Sequence, residues 1–505
     1  ARDWKYNNDY VDKKDKWRHS KWLAFMERRV RLAKRLLKPD GVLIVTIDEH
    51  EVLHLGMLLE QVLPEYALHV VTIVNNPKGT GKRNFGRSGE YAFFCCPETE
   101  KDVIIGTPKK IKIGSDGFER RYLRRRGEES SYRSDRPNQF YAILVDEKTL
   151  RAQGVDGEIA KDVKDYPTGK KGALTRVYPI DNEGAERTWC YERGRMQKYV
   201  LAGDIEVTRK NGRLIMNRII RNPNPYKRLK TVWWEAAHDA GQYGTNMVKA
   251  ILKKRGIFSF PKSLYAVRDC LLAVVRSRPN AVILDFFAGS GTTLHATCLL
   301  NAMDSGRRRC ILVTNNEVNE KVAKKLYKKG LYPGDPKFEE QGIFESVTML
   351  RSKYVVNGHR DDDSLLEGDY LDNVGSFARG FAENVEFFNL HFLDPHEVAY
   401  NRQFQSIQPL LWMIAGAFGN HDGPKKRVPY FIQKGSCYAV LDSAAHLAEF
   451  HAEILKRPDI THVFVVTDSH EAYQEMVAQL PANRSYSMLF RDYLENFRIN
   501  TERSL

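Results

Sequence analysis

Apolar residues recur along this chain in two rhythms. Trp22, Phe25, Met26, Val30, Ala33 and Leu37 fall three and four positions apart, which predicts a helix with one apolar face. Arg28, Arg29, Arg31, Lys34 and Arg35 decorate the other face, and Pro39-Asp40-Gly41 ends the helix by turn chemistry. Residues 42–47 then read as a strand closing on Asp48. A helix over 50–63 and strands over 68–74 and 91–96 follow. Later, 246–253 and 264–275 read as helices, the second carrying Leu264, Val267, Leu271, Leu272 and Val275 on one side. Residues 282–284 form a short, bulky run with the character of a parallel strand covered on both faces, and Asp285 stands at its end. A strand over 310–314 and a helix over 318–326 complete the step. Beyond about 350 the pattern restarts: a strand over 385–393, an apolar helix over 404–418, then strand, helix, strand, helix over 438–442, 444–455, 462–467 and 470–480. Alternation of this kind predicts an α/β chain with a smaller α/β unit at its end.

Between about 97 and 231 the periodic patterns weaken and charge becomes dense. Arg120, Arg121, Arg124, Arg125 and Arg126 cluster around Tyr122, extended by Arg133, Arg136, Lys170 and Lys171. The glycine-rich loop 75–86 adds Lys82 and Arg83. Across the 505 residues Lys and Arg outnumber Asp and Glu by 79 to 64, a net +15 that favours a polyanionic partner such as nucleic acid. Arginine contacts phosphates or reads guanine edges, and Tyr122, Phe140, Tyr141, Trp189 and Tyr191 supply aromatic surface. For any one of these arginines the plain alternative is a solvated charge. The seven cysteines form no C-x-x-C pair, which argues against a zinc site or a disulfide framework and suits a reducing cytoplasm. Asp394-Pro395-His396 reads as a structural turn. No apolar run reaches the roughly 20 residues of a membrane helix, and Ala1-Arg2-Asp3-Trp4-Lys5 is too polar for a secretory signal.

The candidate chemistry sits at Asp285-Phe286-Phe287-Ala288-Gly289-Ser290-Gly291-Thr292-Thr293. A glycine turn between a strand and a helix lets a ligand approach the main chain, and Thr292 and Thr293 are expected to cap the helix. A triphosphate-binding loop needs Lys where Thr292 stands, and a dinucleotide fingerprint needs a third glycine where Leu294 stands. An ordinary strand-to-helix turn is the bland alternative. The whole string resembles the S-adenosylmethionine loop of DNA amino-methyltransferases, which modify the exocyclic nitrogen of adenine or cytosine. That resemblance implies contacts from Asp285 through Thr293, and a ribose held by the acid after the next strand, Glu317. Glu317 is otherwise a candidate to cap the helix at 318–326. Phe260-Pro261-Lys262-Ser263 resembles the segment that flanks the methionine end of the cofactor in the same family.

Lys13-Lys14-Asp15-Lys16-Trp17-Arg18-His19-Ser20-Lys21-Trp22-Leu23, with residues 41–49, resembles the Mod subunit of type III restriction-modification systems. The resemblance implies an S-adenosylmethionine-dependent, Rossmann-like methyltransferase core that modifies adenine N6 in double-stranded DNA. It implies the order of the β class: a catalytic half (1–96), a target-recognition insert (97–237), a cofactor half (238–350) and a C-terminal domain (351–505) for dimerisation or partner contacts. Homodimerisation, a restriction nuclease or helicase partner and a cytoplasmic place in a bacterium or archaeon are implied with it. The family's Asp-Pro-Pro-Tyr box does not occur in the 505 residues, and Asn222-Pro223-Asn224-Pro225-Tyr226 has its prolines separated. The expectation is that the box precedes Ala1. The alternatives are a silent DNA-recognition relative and a cytosine-N4 methyltransferase.

Overall fold

The computed structural model describes residues 17–489 apart from 82–83, 99–101, 161, 255–257, 372, 391–403 and 425. The chain divides into two compact units, Ala1–Val385 and Glu386–Leu505.

In the first unit the helix Arg18–Leu36 buries Trp22, Met26, Val30 and Ala33 against the helix Val52–Val62 and one face of a sheet, as the spacing predicts. Part of its basic face is spent locally: Arg29 lies over the Phe25 ring, and Lys34 reaches Val62 O and Glu65. The sheet runs in the order Leu43–Ile47, Glu90–Pro97, Tyr66–Ile73, Val232–Trp233. Its first three strands are antiparallel neighbours, and the fourth lies parallel to Tyr66–Ile73. Phe93 and Cys95 point into the first-helix core. Ala92, Phe94 and Cys96 point to the opposite face, under Ala266, Cys270, Ala273 and Val274 of the helix Leu264–Val275. Burial on both faces is why this strand reads as an unbroken apolar run.

Val282–Asp285 pairs in parallel with Arg309–Leu312, and Asp285 stands opposite Leu312. The expected burial on both faces is not found. Ile283 is buried, but Val282 and Leu284 are 45% and 38% exposed, because these two strands form a sheet of their own and only one face meets the core.

The stretch poorest in pattern holds the largest sheet. Seven antiparallel strands run in the order Glu119–Tyr122, Arg213–Ile220, Ile205–Lys210, Arg151–Glu158, Tyr141–Asp146, Leu174–Val177, Lys170–Lys171. Leu123, Tyr141, Ile143, Val145, Trp189, Met196 and Val207 build its core, with the helix Arg193–Leu201 packed on it. Short strands with one wet face carry a period of two that dense charge conceals.

The first unit continues past the expected boundary at 350. The helix Leu350–Asn357 sends Tyr354 and Val355 into one cluster with Leu264, Ala296, Leu299 and Phe377. In the second unit a sheet ordered Tyr430–Ile432, Tyr438–Leu441, His462–Val466, Ser485–Leu489 is parallel across its last three strands. The helix Phe404–Ile414 covers one face, and Leu447–Leu455 with His470–Ala478 cover the other. Residues 385–390 carry no strand, against expectation. Residues 391–393 and Asp394-Pro395-His396 lie outside the described residues.

Candidate functional site

The loop after Val282–Asp285 is braced from several directions. Asp285 turns back on it: Oδ1 accepts from Phe287 N at 3.0 Å and Oδ2 from Thr293 Oγ1 at 2.6 Å. Gly289 (φ 50°) and Gly291 (φ 72°) occupy the left-handed region, where a Cβ is costly. At Gly291 a Cβ would also stand 3.3 Å from Ser352 Oγ and 3.5 Å from Thr348 Cγ2. Ala288 is buried and its N–H reaches Val313 O at 3.3 Å, across the parallel strand pair. Phe286 and Phe287 pack against the first-helix core, with the Phe287 and Phe25 ring centroids 6.1 Å apart.

The threonines do not cap the helix Thr292–Asp304. Gly291 holds the N-cap position and no side chain caps it. Thr292 and Thr293 fall inside the first turn, with their hydroxyls committed to Ser290 Oγ (3.1 Å) and to Asp285. The N–H groups of that turn, at the positive pole of the helix, thus meet no side-chain cap, and Gly289 through Thr292 are themselves buried.

The carbonyl side of the loop is tied from beneath, by residues that sequence reading missed. Thr348 Oγ1 donates to Gly289 O at 2.5 Å. Arg351 Nη1 donates to Ser290 O (3.1 Å), Ser290 Oγ (3.1 Å) and Thr292 Oγ1 (2.8 Å), and Arg351 is fully buried. Its Nη2 lies 3.3 Å from Nδ1 of buried His295, whose Nε2 is 2.7 Å from Tyr370 Oη. Burial, and then the Arg351 charge, hold the His295 pKa well below its usual value. His295 is thus neutral, with Nδ1 accepting from Arg351 and Nε2–H donating to Tyr370. Thr348 lies in the π-helical turn Phe344–Met349 that runs into Leu350–Asn357. The available signal was polar residues in an apolar stripe: Thr348, Arg351, Ser352 and Val355 share a face at three- and four-residue spacing.

Glu317 follows Arg309–Leu312 as that strand leaves the sheet, on the same end as the glycine loop. It is half-buried, and its main-chain carbonyl accepts from Ile343 N at 3.0 Å. It is not the helix cap: Asn319 caps Glu320–Tyr327 through Lys321 N. Phe260 has a left-handed φ of 60° and is 87% exposed, a strained backbone at the start of the expected flanking segment. Pro261 is buried, and its carbonyl leaves no room at Gly244, where a Cβ would lie 2.4 Å from it. Lys262 pairs with buried Glu90 at the base of the 75–89 loop. Ser263 caps Leu264–Val275 and donates to Ala237 O at 2.8 Å.

The arginine cluster is less free than its sequence suggests. Arg120 is held by Asp116 (2.6 Å) and Glu206 (2.8 Å), which keeps Asp116 down at about 2. Arg121 pairs with Glu119 at 2.7 Å. Arg124 Nη1 donates to Ile180 O. Arg126 is exposed and lies 3.7 Å over the Tyr122 ring. Of the extending residues, Arg133 is buried on Glu186 and Lys171 pairs with Asp156. Phe140, Tyr141 and Trp189 are core residues, not a stacking surface. Lys82 and Arg83 lie outside the described residues. Two clusters bring His and acidic ligand atoms within 4.8 Å of one another, His19-Glu51-His54 and Asp48-Glu49-His50. Both contain ion pairs, His19–Glu51 at 2.8 Å in the first and His50–Asp48 at 3.3 Å in the second. Among the described residues no helix is long and apolar enough to cross a membrane.

A family model of DNA methylases (N6_N4_Mtase) matches residues 3–311. The type II methyltransferase M.KpnI of Klebsiella pneumoniae is 31% identical over 358 residues, covering 68% of this chain and 76% of that protein. The Mod subunit of the type III restriction-modification enzyme EcoPI, from Escherichia phage P1, is 28% identical over 62% of this chain and 48% of its own length. The StyLTI Mod subunit of Salmonella typhimurium is 25% identical over 61% and 43%. The chain thus spans less than half the length of these two Mod subunits. A chain matched by that model over more than half its length, with a glycine loop braced by Asp285 ahead of an uncapped helix, belongs to the DNA methylase family, with its kinship among Mod-type methyltransferases of restriction-modification systems.

Proposed function

We propose that this chain is the modification subunit of a restriction-modification or phage-defence system, transferring a methyl group from S-adenosylmethionine to N6 of adenine within a short site in double-stranded DNA. The observation that carries the reading is the loop 285–293. Its carbonyls are tied down by Thr348 and Arg351, its bend is made by two left-handed glycines, and its helix N-terminus has no side-chain cap. A cofactor with a carboxylate at one end fits such a turn, since the first-turn N–H groups match the anion. Asp285 to Thr293 would hold the methionine end, with Phe260 to Ser263 beside it. Glu317, beyond the adjacent parallel strand, would accept two hydrogen bonds from the ribose hydroxyls. When bound, the cofactor supplies an electrophilic methyl group on a sulfonium.

The parallel pairing of 282–285 with 309–312 supports a Rossmann-like cofactor half. We assign that half to 238–385, since its core includes Tyr354, Val355 and Phe377, and target recognition to the seven-stranded insert within 97–237. Exposed Arg126, stacked on Tyr122, is the insert's best-placed phosphate contact, whereas Arg120 and Arg121 answer to acids. The adenine must leave the duplex to be reached. Homodimerisation and a nuclease partner, contacted through the unit 386–505, extend the same reading.

Titration calorimetry with S-adenosylmethionine, followed by nucleoside analysis of DNA incubated with labelled cofactor, tests the proposal. Saturable binding and N6-methyladenine at one motif are expected. N4-methylcytosine would correct the base, and cofactor uptake with no label in DNA would overturn the transfer.

A further inference from the structure

Four arginines are buried among the described residues, and three of them have an evident electrical partner. Arg133 pairs with Glu186 at 3.0 Å, and Arg308 with Asp304 at 2.7 Å. Arg360 donates to Ala250 O and Ile251 O, the last carbonyls of the helix Met247–Leu252, which form the negative pole of that helix. Arg351 is different. Its donors end on neutral acceptors, Ser290 O, Ser290 Oγ, Thr292 Oγ1 and His295 Nδ1, and no carboxylate stands within ion-pair distance of it among the described residues. Its Nε, like those of Arg133 and Arg308, is buried without a partner. It also lies at the wrong end of a helix: its acceptors sit in and just before the N-terminal turn of Thr292–Asp304, the positive pole. Burial lowers its pKa only to about 10, so it stays charged at neutral pH.

A buried cation facing a second source of positive potential is costly by itself. It becomes favourable when an anion occupies the far side of the loop. The anion would meet the first-turn N–H groups directly and the guanidinium through the Ser290 and Thr292 contacts. We propose that Arg351 is a positioning residue whose fixed charge selects the cofactor's carboxylate at the glycine loop, with the chain's own missing counterion supplied by the ligand. This deepens the cofactor reading above and rests on it. His295 serves the arrangement by remaining neutral: a protonated ring 3.3 Å from Arg351 would repel it.

The test compares S-adenosylmethionine with its decarboxylated analogue, which lacks only the carboxylate, by calorimetry on the full chain. The wild-type chain should prefer the intact cofactor by at least tenfold. Arg351→Met should lose most of that preference while holding the decarboxylated analogue within about threefold of wild type, and Arg351→Lys should restore part of it. Equal loss of both ligands in Arg351→Met would reduce Arg351 to a structural prop and overturn the inference. So would a wild-type chain that binds both equally, an outcome that needs no folded variant. A wild-type chain that takes up neither ligand would instead sink the cofactor reading itself.

Discussion

Two strand-to-helix crossovers in this chain begin alike and end differently. Val282–Asp285 leads through a glycine loop into Thr292–Asp304, and His462–Val466 leads through Thr467, Asp468 and Ser469 into His470–Ala478. Each has an aspartate just where its strand ends. In the second crossover the polar groups satisfy one another. Ser469 caps its helix by accepting from Ala472 N at 3.2 Å, and Thr467 Oγ1 accepts from Ser469 N. In the first, Gly291 replaces the capping residue, and the side chains that would cap are drawn into the loop's frame. A capped helix is finished, whereas an uncapped one held in a rigid frame waits for a ligand. The difference is why the first crossover, and not the second, is proposed as the cofactor site.

The contrast can be broken most sharply at Gly291. Gly291→Ala adds a Cβ in a left-handed backbone against Ser352 and Thr348, so cofactor affinity should fall by about 100-fold or more, read by calorimetry. An unchanged affinity would mean that the bend is not the binding surface. Asp285→Ala removes the brace to Phe287 N and Thr293 Oγ1; the expected loss is about tenfold in affinity, with about 1–2 kcal/mol of stability.

A pH series probes the floor of the loop. His295 is kept neutral when folded but takes a proton near 6.5 when unfolded, so the unfolded state binds more protons below that pH. Stability should therefore be level above about 6.5 and fall as pH drops below it, at up to about 1.4 kcal/mol per unit for this one group. Denaturant midpoints from pH 8 to 5 should show the slope, reduced in His295→Gln. The smallest effect belongs to the finished crossover. Ser469→Ala should cost the second unit about 1 kcal/mol by thermal unfolding and leave cofactor affinity unchanged.

Reading the residues in order succeeded where a local rule suffices. The first helix, the helix Leu264–Val275 and the strands at 43–47, 438–441 and 462–466 follow from apolar spacing, and the glycine bend follows from Gly289 and Gly291. It failed where charge hid a short period, as in the seven-stranded sheet whose core includes Tyr141 and Trp189. It also missed one partner of Arg120, because Glu206 lies far along the chain.

The family and the glycine bend were legible in the order of residues alone, since a strand, an aspartate and two glycines act on neighbours only a few positions away. What holds that loop from beneath was decided by tertiary structure. Thr348 and Arg351 stand about 60 residues further on and read there as unremarkable helix positions, and only packing brings their donors beneath the carbonyls of Gly289 and Ser290. Contacts between residues so distant in sequence leave no mark in local spacing, because the chain must fold before those groups can meet.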